Sequence, residues 1–171
     1  MSRAGHAGSY VPLWCKSNYS FLSGASHPDE LVEQAARLDL PAIAITDRDG
    51  VYGIVQAHQP LQEQAAEGRR VRLIVGSEIT LGSVSAGRLV LLAQDREGYA
   101  QLCGLISTGR LRSPKGESSV TIDEVCAHAR GLIALWMSSA ERPAYGTGGQ
   151  KASVAATNPA DDTGEPGHPV A

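Results

Sequence analysis

Between Leu40 and Gly53 the sequence reads LPAIAITDRDGVYG, an apolar run that stops abruptly at charged and turn-forming residues. Pro41 to Ile45 lack period-two alternation, the pattern of a strand covered on both faces in a parallel sheet. Ligands and catalytic groups of parallel α/β folds gather at the carboxyl ends of such strands, which makes Asp47 a candidate site residue. The same spacing has a second reading, in which Asp47 or Asp49 caps the helix that follows.

The flanking segments extend this strand into an α/β pattern. Tyr10 to Cys15 reads as a first short strand, Lys16-Ser17-Asn18 as an outward turn, and Tyr19 to Leu22 as a segment packing back. Strand alternation would send Trp14 and Lys16 to the same side. Ser26, Pro28 and Asp29 announce a helix with an apolar face at Leu31, Val32, Ala35, Ala36 and Leu38, and His27 at its entrance is a loop or capping residue or a ligand. After the central strand, Val51, Ile54, Val55 and His58 fall on one helical face, Pro60 should kink or restart that helix, and Gly68 should cap it. Val71 to Val75 completes a β-α-β unit, so its strand should lie parallel to the first and bring Glu78 close to Asp47.

Two carboxylates at neighbouring strand ends can hold a divalent cation or perform acid and base work; alternatively, Glu78 is simply solvated or salt-bridged. Arg88 to Ala93 reads as a strand joined through a turn at residues 82–87. Asp95 caps a helix with Tyr99, Leu102, Cys103 and Ile106 on its buried face. Thr121 and Glu124 form a capping box, and Leu132 to Met137 is a last strand. Residues 138–171 contain five Gly and four Pro but no Leu, Ile, Phe, Met or Trp, which predicts a disordered tail. Residues 1–9 read as a flexible start.

With 171 residues there is room for one domain. A net charge of −3 speaks against an overall electrostatic grip on nucleic acid. Two basic groups, Arg69-Arg70-Arg72 and Arg110-Leu111-Arg112 with Lys115, either touch phosphate locally or are solvated faces. The three cysteines, Cys15, Cys103 and Cys126, form no Cys-x-x-Cys pair, so a disulfide framework and a zinc ribbon are both unsupported. No apolar run is long enough for a bilayer span and no signal-peptide core is evident, which suggests a reduced, cytoplasmic location without membrane contact.

Taken together, YVPLWCKSNYSFL (10–22), GASHPDEL (24–31), AITDRDG (44–50), Gly76-Ser77-Glu78 and LLAQDREGY (91–99) resemble the start of bacterial C-family DNA polymerases. That start is the polymerase and histidinol phosphatase domain of the DNA polymerase III α-subunit, and the wording is similar to its error-prone, damage-tolerance branch. The resemblance covers about residues 10–137. It implies a partial, distorted β/α barrel of mainly parallel strands with helices outside, and a metal cluster at the carboxyl ends of the strands.

In active family members the first strand ends in a His-x-His pair, a second motif supplies Asp and His, and a later one supplies Glu. Here those positions carry Trp14 and Lys16, Asp47 and Arg48, and Glu78, so only Asp47 and Glu78 match. Zinc needs three or four suitable ligands, and no cofactor is expected, with weak Mn²⁺, Mg²⁺ or Zn²⁺ binding left open. Strand geometry instead suggests that Lys16 pairs with Asp47 or Glu78 and replaces the metal's charge. The resemblance implies a non-catalytic amino-terminal fragment of a polymerase whose Mg²⁺-dependent synthesis lies in absent downstream sequence. Its partners would be the remainder of that polymerase, the sliding clamp or translesion accessory proteins, with DNA met only indirectly. Two other readings stand beside it: a stand-alone metal-dependent phosphoesterase, and a non-catalytic interaction module or gene remnant.

Overall fold

The structure is a computed structural model that describes residues 10–66, 71–82 and 87–138, all within the compact unit Met1–Glu141. Four helices and four strands follow in the order α1 (Pro28–Arg37), β1 (Ala42–Ile45), α2 (Ile54–Ala66), β2 (Arg72–Ile79), β3 (Gly87–Ala93), α3 (Arg96–Arg112), α4 (Ile122–Ala127) and β4 (Leu132–Ser138). The strands form one sheet in the order β1-β2-β3-β4. β1 and β2 are parallel, as the β-α-β pattern requires, with Ala44 opposite Ile74.

The expectation of mainly parallel strands is corrected by the other two pairings, which are antiparallel. Between β2 and β3 the connection is too short to hold a crossover helix, so the chain turns straight back. Between β3 and β4 two helices intervene, yet α3 carries the chain to the far end, where Val120 bridges Leu81. From there α4 leads back, and Leu132 enters opposite Ala93. The sheet is open, and the first predicted strand is reduced to a bridge between Cys15 and Ile45. The N–H groups of Ala44 and Thr46 reach the carbonyls of Pro12 and Cys15 at 2.9 Å, so pairing along this segment is intermittent.

Alternation divides the apolar residues between two faces. Ile43, Ile45 and Leu73 pack with Val32, Ala35 and Ala57 of α1 and α2. Leu89 and Leu91 pack with Leu102, Leu105 and Ile106 of α3. Ala44, Ile74, Val90, Leu92, Leu135 and Met137 pack together on the opposite face. Gly98 and Gly131 let α3 approach the entry to β4, since a Cβ on Gly98 would stand 1.9 Å from the Gly131 carbonyl oxygen.

The capping signals of α3 and α4 occur where the sequence puts them, while the helix faces shift in phase. Asp95 caps α3 by accepting from the Gly98 N–H at 2.8 Å, and Thr121 and Glu124 form their capping box. The cap of α1 is His27 rather than Ser26, its N–H donating to the Glu30 carboxylate. α2 begins at Ile54, not Val51, and runs through Pro60. Its buried side carries Ala57 and Pro60, while Val55 and His58 are exposed, because the small Ala57 permits close approach to α1. On α3 the buried apolar side chains are Leu102, Leu105 and Ile106, and Tyr99 is 40% exposed. Tyr19 to Leu22 does not pack back as a whole: Phe21 and Leu22 lie exposed in a turn where Leu22 has φ 62°. Ser138 belongs to β4; the remaining tail, residues 1–9, Gly68, Arg69 and Arg70 lie outside the described residues.

Candidate functional site

The turn after β1 and the second half of β2 meet at one end of the sheet. The Glu78 N–H donates to the Asp47 carbonyl at 3.0 Å, and the Asp49 N–H to the Glu78 carbonyl at 2.8 Å. Asp47 and Glu78 thus stand on adjacent strand ends, 1% and 6% exposed. Neither Asp47 nor Asp49 caps α2. The Asp47 carboxylate accepts from the Ser17 N–H (2.8 Å), the Ser17 hydroxyl (2.6 Å) and the Ser20 hydroxyl (2.6 Å). Asp49, at φ 49°, accepts from the N–H and hydroxyl of Thr80.

Glu78 is the centre of an ion cluster. Its Oε2 accepts from the Trp14 indole N–H at 2.9 Å and lies 3.0 Å from the Lys16 ammonium. Its Oε1 lies 3.8 Å from Arg48 and 3.8 Å from Arg88. Lys16 also donates to the Thr46 carbonyl at 2.6 Å. Of the two partners proposed for Lys16, the direct contact is with Glu78.

Burial alone would push the Glu78 carboxyl up. The Lys16 hydrogen bond and charge, the Trp14 N–H and the Arg88 charge outweigh it and hold the group below its ordinary value. For Lys16 the balance is reversed: burial pulls the ammonium below its ordinary range despite attraction from Glu78 and Asp47. The two directions differ because Glu78 faces three cations, whereas Lys16 has one directly paired carboxylate and repulsion from Arg48.

Arg88 was missed by sequence reasoning. It sits two residues from Val90, the register partner of Glu78, and is therefore a diagonal neighbour across the β2-β3 pair. No signal in the chain specifies that register. Ser17 and Ser20 were also missed, because they lie 30 and 27 residues before Asp47 and no local pattern links them to it; the Ser20 N–H closes their turn on the Ser17 carbonyl. The two arginines of the second basic group are used internally, Arg110 donating to the Asp49 carbonyl and Arg112 pairing with Glu124 at 2.6 Å, while Lys115 is exposed. Arg72, the described member of the first group, begins β2 at the opposite end of the strand from Glu78.

Among the described residues, no three His, Cys, Asp or Glu side chains gather as a group that could hold a metal. The residues present do not fit a zinc or manganese cluster. Ammonium, guanidinium and indole N–H offer no lone pair to a cation, and both carboxylates already accept from the protein. Among the described residues, no helix is long and apolar enough to cross a membrane.

A sequence model of the PHP domain matches residues 13–157. An error-prone DNA polymerase from Anaeromyxobacter sp. (strain K) is 46% identical over 143 residues, a match covering 77% of this chain and 12% of that protein. An error-prone DNA polymerase from Pseudomonas aeruginosa is 45% identical over 128 residues, covering 75% and 12%. The chain therefore spans only 12% of the length of these curated relatives. Among solved structures, one from Bifidobacterium adolescentis, provisionally described as a metal-dependent phosphoesterase, aligns with TM-score 0.45 and 24% identity over 70% of this chain and 43% of that one.

Proposed function

Because the chain belongs to the PHP domain family, we propose that it is a non-catalytic PHP domain of an error-prone DNA polymerase, its metal centre replaced by an ion cluster internal to the protein. The observation that carries this reading is the occupation of both matching carboxylates: Asp47 by Ser17 and Ser20, Glu78 by Lys16 and Trp14. A cation entering here would have to displace an ammonium ion and strip hydrogen bonds from a buried carboxylate, while gaining too few ligands. The domain's role is then structural, as part of a longer polymerase chain. DNA synthesis in damage tolerance, its Mg²⁺ and any clamp or accessory-protein contact belong to that longer chain, in the cytoplasm.

The competing reading, a metal-dependent phosphoesterase, needs imidazole or carboxylate ligands where Trp14, Lys16 and Arg48 stand. The test is metal content and thermal unfolding of the purified chain with and without Zn²⁺ or Mn²⁺, beside a Trp14→His, Lys16→His, Arg48→His variant. The unsubstituted chain is expected to carry no stoichiometric metal and to keep its midpoint. A metal that binds only the folded state raises that midpoint. Such a rise in the unsubstituted chain overturns the proposal.

A further inference from the structure

The ion cluster holds more positive charge than its carboxylate neutralises. Lys16, Arg48 and Arg88 all face Glu78, while the nearby Asp47 is 1% exposed with both oxygens taken by Ser17 and Ser20. Lys16 and Trp14 occupy Oε2, and the two guanidinium groups share Oε1 at 3.8 Å each. That distance is too long for a hydrogen bond, so the arginines contribute charge there without spending their N–H donors. Among the described residues, Arg48 makes one side-chain hydrogen bond, to the Ser23 hydroxyl at 3.3 Å. Arg88 makes none from its side chain among the described residues, and its guanidinium carbon lies 5.5 Å from the centre of the Trp14 ring. The Arg48 and Arg88 side chains are 48% and 54% exposed, whereas Lys16 beneath them is 11% exposed.

Two half-exposed guanidinium groups converging on one oxygen, above a buried ammonium, suit an oxyanion with several acceptor oxygens. We propose that Arg48 and Arg88, walled by Trp14, form a metal-independent binding site for a phosphate group. The proposal rests on the metal-free reading above and adds a ligand class to the same end of the sheet. The phosphate is either a free anion or the terminal phosphate of a single-stranded DNA.

The experiment follows fluorescence of the full chain carrying Trp136→Phe, so that Trp14 is the reporting indole. It is titrated at low salt in EDTA with inorganic phosphate, then with one oligonucleotide bearing or lacking a 5′-phosphate. Isothermal titration of the unsubstituted chain gives the same reading without relying on that substitution. A saturable response is expected, weakened at least about tenfold in an Arg48→Ala, Arg88→Ala variant that still unfolds cooperatively. Tighter binding of the phosphorylated oligonucleotide than of inorganic phosphate assigns the phosphate to DNA; the reverse assigns it to a free anion. No saturable response in the folded chain, or one unchanged in the double variant, overturns the anion site alone. Binding that appears only after Zn²⁺ or Mn²⁺ is added overturns the anion site and the metal-free reading together.

Discussion

The Lys16 ammonium lies 3.0 Å from Glu78 Oε2 and 2.6 Å from the Thr46 carbonyl oxygen, tying the segment before the first turn to the ends of β1 and β2. A side chain from the amino-terminal segment thereby supplies the positive charge that two acidic strand ends require. The contact also explains why Glu78 tolerates 6% exposure as an anion: its oxygens meet an ammonium, an indole N–H and two guanidinium groups.

Lys16→Met is expected to destabilise the chain by about 2–4 kcal/mol at pH 7, because it removes the closest cation from a buried carboxylate and leaves only two half-exposed guanidinium groups at 3.8 Å. Adding Glu78→Gln should recover much of that loss, since the uncompensated charge is then gone. Urea denaturation of the two variants checks both statements, and an unchanged midpoint for Lys16→Met removes the charge-replacement argument.

Acid should weaken the same cluster. The Glu78 carboxyl is held below its ordinary 4.5 in the folded chain. A depressed carboxyl contributes stability that is fully present above the unfolded value and is lost as pH falls through the folded one. Stability is therefore expected to decline below about pH 4.5, and Glu78→Gln should flatten that part of the curve. Unfolding free energies measured from pH 6 downward, at roughly half-unit steps, give the comparison.

Glu124 offers a separate check on a surface contact. Its carboxyl is pulled down to about 2, first by the Arg112 hydrogen bonds and then by the Thr121 N–H of the capping box. Carbon-detected NMR titration should find it still ionised well below the ordinary 4.5, and Arg112→Ala should move it up toward that value. A value near 4.5 in the unsubstituted chain means the Arg112 pair is not maintained in solution.

Gly98→Ala tests the close approach of α3 to the entry of β4. Its Cβ would meet the Gly131 carbonyl oxygen at 1.9 Å, backbone that cannot swing aside as a side chain can. A loss of about 3 kcal/mol is expected, the upper end of overpacking costs, although Ala is the better helix former. Gly104→Ala on the same helix, whose nearest neighbours would be His128 ring atoms at 3.5 Å, should be neutral or stabilising. Thermal unfolding of the pair separates crowding from helix propensity.

Much of the candidate site could be read from local pattern. The apolar run before Asp47 and the caps Asp95 and Thr121 depend on residues a few positions apart, and the β-α-β unit that brings Glu78 beside Asp47 is a succession of such local patterns joined by a fixed handedness rule. Period and capping chemistry act over that range, so they survive the move from sequence to structure. The pairing of Lys16 was narrowed to two carboxylates because alternation indicates a side of the strand but not a partner.

Tertiary structure decided the rest. Arg88 reaches Glu78 only through the antiparallel register of β2 and β3, and β4 runs antiparallel because two helices return the chain to the Ala93 end. Asp47 is spoken for because a turn 27 to 30 residues earlier folds Ser17 and Ser20 onto it. The sequence by itself determined which residues end at the strand tips. Which donors satisfy the two carboxylates was settled by long-range packing, because hydrogen bonds and ion pairs depend on distances of a few ångströms that no local periodicity encodes.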